Sequence, residues 1–202
     1  MDDPGFDALL DRARSGDESA FAAIYRDLQP RLLRYLQVQA PDRAEDAAAD
    51  TWLEVARSVG AFTGDESGFR SWVFTIARSR LVDGIRRDAR RPVRLVDEVY
   101  ELEVLAGQGD SAESSDVGAQ VEQEEATSRA IALVRTLPPD QAEVVLLRVV
   151  AGLDPAEVAA LLGKSVGSVR VLAHRGLRRL ARTLAANEPQ TAPSGGPHRK
   201  GP

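Results

Sequence analysis

Residues 154–180 read DPAEVAALLGKSVGSVRVLAHRGLRRL, and the fold follows from how this stretch divides. Asp154-Pro155-Ala156-Glu157 opens a helix, with an N-cap aspartate, a proline where no N–H is needed, and a glutamate three residues after the cap. Val158, Leu161 and Leu162 give that helix an apolar side, and Gly163 ends it. After Lys164 a second helix starts at Ser165 or Val166. Its apolar stripe is Val166, Val169, Ala173, Leu177 and Leu180, with Arg170, Val171, His174, Arg175 and Arg178 on the other side. Two helices joined by a short glycine turn, the second with outward donors for phosphates and base edges, form the pattern of a helix-turn-helix. Gly163-Lys164-Ser165 imitates the end of a phosphate-binding loop, but Val158 stands where that loop needs glycine.

Outward from this motif the charge divides sharply. The net charge of −5 conceals two basic blocks and one acidic block. Residues 69–94 hold eight arginines against Asp83 and Asp88, net +6, and residues 163–184 hold Lys164 and five arginines with no acid, again +6. Residues 93–125 hold ten carboxylates and one arginine, net −9. A phosphate backbone meets local charge rather than the total, so two basic blocks on helices point to nucleic acid. Residues 93–125, rich in Asp, Glu, Gly, Ser and Gln, have almost nothing to bury and read as a flexible acidic linker; residues 187–202 read as a disordered tail.

Composition narrows the chemistry. Among 202 residues there is no Cys, which excludes a disulfide framework, a thiolate zinc site and a cysteine nucleophile. His174 and His198 are too few and too far apart for a histidine metal cluster, and no nucleophile–base–acid set is visible. The expectation is therefore a non-enzyme without metal, cofactor or small-molecule substrate. No apolar run approaches the ~18 residues of a membrane span. Met1-Asp2-Asp3-Pro4-Gly5 lacks the basic and apolar parts of a secretion signal, which predicts a soluble cytoplasmic protein.

The first 92 residues read as helices with short connections. Phe6, Leu9, Leu10 and Ala13 make a short stripe closed by Ser15-Gly16. Asp17 caps a helix carrying Phe21, Ile24, Tyr25, Leu28, Leu32, Leu33 and Leu36, with Pro30 expected to kink or interrupt it. Asp42 and Glu45 have capping-box spacing for a third helix to about Val59, and Ser67 is the expected cap of a last helix that reaches Arg91 before Pro92. That last helix mixes rings and cations, as a single-strand site does when rings accept unstacked bases and arginines follow the backbone. The Phe62-Thr63-Gly64-Asp65 loop beside it suits a base taken out of the stack.

In this order the parts resemble an extracytoplasmic-function (ECF) sigma factor of bacterial RNA polymerase, a branch of the sigma-70 family. The resemblance rests on Gly16 to Phe21 with Pro30-Arg31-Leu32-Leu33, Ala44-Glu45-Asp46 with Asp50 to Val55, Phe69 to Arg87, Leu137-Pro138-Pro139 through Arg148, and Val166 to Arg175. Where the family often has Gln before its acid–Thr pair, this chain has Ala49, and Val171 and Leu172 replace frequently polar positions. The resemblance implies an all-α protein of two small helical domains: 1–92 for core polymerase binding and the −10 element, 93–125 as linker, and 126–186 with the helix-turn-helix for the −35 element. It implies a polymerase-binding surface at Asp46, Asp50, Thr51, Glu54 and Val55. The −10 DNA would meet Phe62, Thr63, Asp65, Trp72, Arg78, Ser79, Arg86 and Arg87. The −35 DNA would meet Lys164, Ser165, Ser168, Arg170, Val171, His174, Arg175 and Arg178. The implied partners are core RNA polymerase, promoter DNA and an anti-sigma protein. The alternative reading is a free-standing helix-turn-helix regulator that acts without core polymerase.

The linker yields a first prediction. As a flexible coil its 33 residues span about 30–35 Å, whereas promoter elements ~17 base pairs apart at ~3.4 Å rise lie about 60 Å apart. Fully extended, it reaches about 110 Å, so something must hold it stretched, and the resemblance suggests the polymerase's basic nucleic-acid channel. Replacing Asp97, Glu98, Glu101 and Glu103 with Ser and Gln at constant length should weaken the promoter complex or alter early RNA release. If only shortening the linker has an effect, its charge plays no part.

Overall fold

The computed structural model describes residues 4–89 and 117–187, which form eight α-helices and two single 3₁₀ turns. The first unit contains α1 (Pro4–Arg14), α2 (Glu18–Gln39), α3 (Ala44–Ser58) and α4 (Glu66–Ala89). The second contains α5 (Val117–Arg135), α6 (Pro139–Val149), α7 (Pro155–Leu162) and α8 (Val166–Asn187). The end of α4 expected at Pro92, most of the expected linker and the expected tail lie outside the described residues.

Local chemistry sets several of the helix starts. Asp17 caps α2, its Oδ1 accepting from the N–H of Ser19 (2.9 Å) and Ala20 (3.1 Å). The Ser19 hydroxyl and the Arg12 guanidinium also donate to this carboxylate, and together these donors hold it well below the usual carboxylate range. Asp154 and Glu157 form the expected capping box, and Gly163 ends α7 in the left-handed region with φ 63°. Ser165 caps α8 by accepting from the N–H of Ser168 at 3.1 Å.

Four local expectations are corrected. Of the two outcomes expected at Pro30, interruption does not occur: α2 is continuous there, with Pro30 exposed and Leu28 and Leu32 on either side fully buried in one core. Asp42 caps nothing, because Pro41 starts a 3₁₀ turn directly after α2 and encloses Asp42 within it. Helix α4 begins one residue before Ser67. Asp65 Oδ1 accepts from the Gly68 N–H (2.8 Å) and Asp7 Oδ1 from that of Glu66 (3.1 Å), so the capping carboxylates come from the loop and from α1. Helix α5 begins at Val117, so the last nine residues of the expected linker are helical.

One apolar cluster runs through both units. It joins Leu28, Leu32, Tyr35 and Leu36 of α2 and Phe69, Val73, Phe74 and Ala77 of α4 to Leu146 and Leu147 of α6, Val158 of α7 and Val169 of α8. Burying each of the larger aliphatic side chains contributes about 1.5–3 kcal/mol. A small satellite of Leu137, Ala142 and Val145 packs near Leu180.

Within α8 the buried stripe differs from the sequence expectation at one position. Leu177 is exposed, and Gly176 is the buried residue. A Cβ at Gly176 would stand 2.7 Å from Val145 Cγ2, so the missing side chain sets how closely α6 and α8 cross. Gly167, in the first turn of the same helix, has only the Ser165 hydroxyl within 4 Å. Gly176→Ala should therefore cost about 1–2 kcal/mol through overpacking against a stiff β-branched residue. Gly167→Ala should gain up to ~1 kcal/mol from helix propensity. Urea unfolding of the two variants measures this, and effects of equal sign would contradict the close crossing.

Candidate nucleic-acid interface

The aromatic end of α4 is built around a folded-back loop. Phe62 stacks on Trp72 (centroids 5.0 Å apart, 28° between planes) and meets the fully buried Phe69 edge-on at 5.3 Å. Gly64, at φ 151°, makes this possible: a Cβ there would lie 2.9 Å from Phe62 Cζ. Arg14 of α1 pins the loop, with its Nη2 donating to the Gly64 carbonyl at 2.6 Å and its guanidinium lying 5.3 Å from the Phe62 ring centroid. Thr63 and Asp65 are exposed beside the half-buried rings, and Asp65 also caps α4. Phe62, Thr63, Asp65 and Trp72 thus lie at one end of α4. Arg14 was not foreseen, because it lies 50 residues away from the carbonyl it holds.

Farther along α4 the cations separate. Trp72, Ser79 and Arg86 fall at seven-residue spacing on one side. Arg78, Ser79 and Arg86 line a groove with Thr75, Val82 and Leu161 of α7. Arg87 instead lines a cleft of about 220 Å³ on the α3 side, with Arg43, Asp46, Asp50 and Arg80. Arg78 is already engaged: its Nε donates to Glu143 Oε1 of α6 at 2.8 Å, which raises its affinity for the proton further.

On α3, Asp46 and Asp50 are exposed along one ridge, and Glu54 is half-buried. Glu54 accepts from Arg80 Nη2 at 2.8 Å and from the Ser58 hydroxyl at 3.2 Å. Two residues read as part of this surface face the core instead. Thr51 is fully buried with its hydroxyl donating to the Ala47 carbonyl (2.6 Å), and Val55 is fully buried. Both sit about 100° around the helix from the neighbouring acids, which turns them inward. The position that joins the ridge is Leu53, 52% exposed and placed seven residues after Asp46 and three after Asp50.

The second unit presents α8. Ser165, Ser168, Arg170, Val171, His174, Arg175 and Arg178 are all exposed, while Lys164 is half-buried with Nζ 3.5 Å from Asp140. His174, Arg175 and Arg178 share a cleft with Gln141, Arg179 and Arg182. Arg179 and Arg182 continue the i, i+4 rows of Arg175 and Arg178, a signal already present in the sequence. Among the described residues, no carboxylate lies within ion-pair distance of Arg170, Arg175, Arg178, Arg179 or Arg182. In the first unit Arg12, Arg14, Arg31, Arg43, Arg70, Arg78, Arg80 and Arg86 each have one. A row of uncompensated guanidiniums on an exposed helix attracts phosphate.

Two helical units, the second a helix-turn-helix with an open basic face, define a class of transcription protein. Residues 24–91 match the family described as Sigma-70 region 2, and residues 128–180 match Sigma-70, region 4. The chain belongs to the ECF RNA polymerase sigma factors. It is 32% identical over 190 residues to ShbA of Streptomyces griseus, covering 88% of this chain and 94% of that one. It is 31% identical over 187 residues to the sigma factor CarQ of Myxococcus xanthus, covering 91% and 99%. With BldN of Streptomyces coelicolor it shares 33% identity over 180 residues, covering 87% of this chain and only 64% of that longer relative. CnrH, solved in complex with the cytosolic domain of CnrY, shares the fold with TM-score 0.57 and 21% identity, covering 91% of this chain and 99% of CnrH. The sigma factor RpoE of Bartonella quintana, solved with the anti-sigma factor NepR, shares it with TM-score 0.51 and 20% identity, covering 82% and 99%.

The anchoring of the loop is directly testable. Arg14→Ala removes both the bond to Gly64 and the contact over Phe62, and amide hydrogen exchange at residues 61–65 should accelerate about tenfold, equivalent to ~1.4 kcal/mol of local stability. Exchange in α8 should not change. Protection of 61–65 equal to that of the parent protein would show that the stacked rings hold the loop unaided.

Proposed function

We infer that this chain is an alternative sigma factor that binds core RNA polymerase and directs promoter-specific initiation of transcription. The observation that carries the reading is the exposed, carboxylate-free arginine row of α8, set by the Ser165 cap and the Gly163 turn behind a region-2 helical unit. Its geometry suits a recognition helix in the −35 major groove. Arg170 and Arg175 would reach base edges, while Lys164, Ser165, Ser168 and Arg178 would fix the register on phosphates. Val171 and His174 complete the face that meets the bases.

The first unit takes the −10 element. Phe62, Thr63, Asp65 and Trp72 form the aromatic end for unstacked bases, and Arg78, Ser79 and Arg86 follow the strand. Asp46, Asp50 and Leu53, with Glu54 at the edge, form the polymerase-docking ridge. Arg87 belongs with that ridge rather than with the DNA groove. Catalysis, metal and nucleotides belong to the polymerase, and the protein acts in the cytoplasm without inserting in a membrane. An anti-sigma protein is the expected regulatory partner, by analogy with the complexes of CnrH and RpoE.

Promoter-specific transcription in vitro with purified core polymerase tests this reading. The intact chain should confer initiation at a defined start site. Asp50→Lys together with Glu54→Lys should weaken core binding while the fold survives. Arg170→Ala and Arg175→Ala should each remove about 1–3 kcal/mol of discrimination at one −35 base pair, whereas Arg178→Ala should weaken binding evenly across sequences. Specific binding to a DNA operator without core polymerase, and no stimulation of transcription with it, would establish the free-standing regulator instead.

A further inference from the structure

The two units meet through polar contacts that fall on the proposed −10 face. Glu143 of α6 has a side chain only 17% exposed, and its Oε1 lies 2.8 Å from Arg78 Nε and 3.4 Å from the phenol oxygen of the fully buried Tyr35. Burial, with this carboxylate alongside, pushes the Tyr35 phenol well above its ordinary range and keeps it a neutral donor. Farther toward the α4 N-terminus, the Ser67 hydroxyl donates to Glu157 Oε1 at 2.6 Å. The other oxygen of Glu157 accepts from the Asp154 N–H, so the residue that completes the α7 cap also ties α7 to α4. Leu161 of α7 projects into the groove of Thr75, Arg78, Ser79 and Arg86.

Two features make this contact more than incidental packing. The apolar cluster is continuous beneath it, from Val73 and Phe74 to Leu147 and Val158, so the second unit is seated on α4 rather than touching it at one point. Arg78 also receives from Glu143 what a nucleic-acid strand would offer, a single negative charge on oxygen acceptors. One guanidinium edge with its Nε committed to a carboxylate is not available to a phosphate at the same time.

We propose that Glu143 is an internal phosphate mimic: its carboxylate occupies Arg78 and holds the second unit over α4, so that single-stranded DNA and the closed arrangement exclude one another. The DNA half of this inference rests on the proposed function, and the closed arrangement stands independently of it. Promoter elements ~17 base pairs apart at ~3.4 Å rise are about 60 Å apart, whereas α7, the helix just before α8, is in direct contact with α4 here. Opening is therefore a required step, and the Glu143–Arg78 pair adds to the cost already set by the apolar cluster beneath it. The apparent affinity of α4 for DNA falls in proportion to the open fraction.

The absence of native cysteine allows two dyes to be placed at will. Ala22→Cys on α2 and Ala160→Cys on α7 are exposed positions, one on each unit. Energy transfer between them reports closure in the full chain without polymerase. Glu143→Gln, which keeps size and removes charge, should lower the high-transfer population. It should also strengthen binding of a fluorescein-labelled oligo(dT) of about 15 nucleotides roughly fivefold. The charge swap Glu143→Arg with Arg78→Glu should restore high transfer and leave oligonucleotide binding weak. Unchanged transfer in Glu143→Gln would overturn the latch. Opening with no gain in oligonucleotide binding would overturn the mimicry. Failure of the proposed function would instead appear as the parent chain giving no promoter-specific transcription with core polymerase.

Discussion

Helix α2 buries one side along its whole length, and α3, α4, α5 and α6 each cover part of it. Near its start, Phe21 and Tyr25 pack on Trp52 of α3, whose indole N–H donates to Gln29 at 2.6 Å. In the middle, Leu28 and Leu32 are sealed from solvent. Toward its end, Tyr35 meets Phe74 of α4 edge-on at 5.5 Å and Glu143 of α6, and the Gln37 carbonyl accepts from Arg135 of α5. One helix therefore organises the first unit and extends its core into the second. The uninterrupted passage through Pro30 follows from the same demand: burying leucines on both sides outweighs the loss of one backbone donor on the exposed side.

Charge in this protein is sorted by what each cation already holds. A guanidinium paired with a carboxylate is a structural group, and a phosphate reaching it must displace a partner of equal charge. Most arginines described in the first unit are of this kind, including Arg78 with Glu143, Arg80 with Glu54 and Arg43 with Asp88. The arginines along α8 lack such partners among the described residues and repel one another, a cost that a polyanion relieves by neutralising them and releasing its own counterions. The difference is invisible in the net charge of −5 and only half visible in the +6 of each basic block.

Structural constraint and functional placement also coincide at the aromatic loop. Gly64 lets Phe62 fold onto Trp72, Arg14 clamps the loop from α1, and Asp65 caps α4 from the same four residues. A loop held from three sides presents its exposed Thr63 in one position, which would lower the entropy lost in the base capture proposed for it.

What could be read from the sequence alone were the features whose partners lie within a few residues. The Asp17 cap, the Asp154–Glu157 box, the left-handed Gly163 and the outward face from Arg170 to Arg178 depend on helix pitch and backbone geometry, so residue spacing carries them. The order of the two helical units, and hence the family, followed from the same local patterns. Residue spacing could not say which side of α3 faces the core, and so placed the buried Thr51 and Val55 beside Asp50 on a surface that Leu53 occupies. Nor could it put Gly176 rather than Leu177 at the α6–α8 crossing, divide Arg86 from Arg87, bring Arg14 to Gly64, or set Glu143 on Arg78 across 65 residues of chain. Those choices depend on where helices cross. The crossings are settled when whole apolar faces are buried together, because many small contacts acting at once outweigh the preference of any one residue.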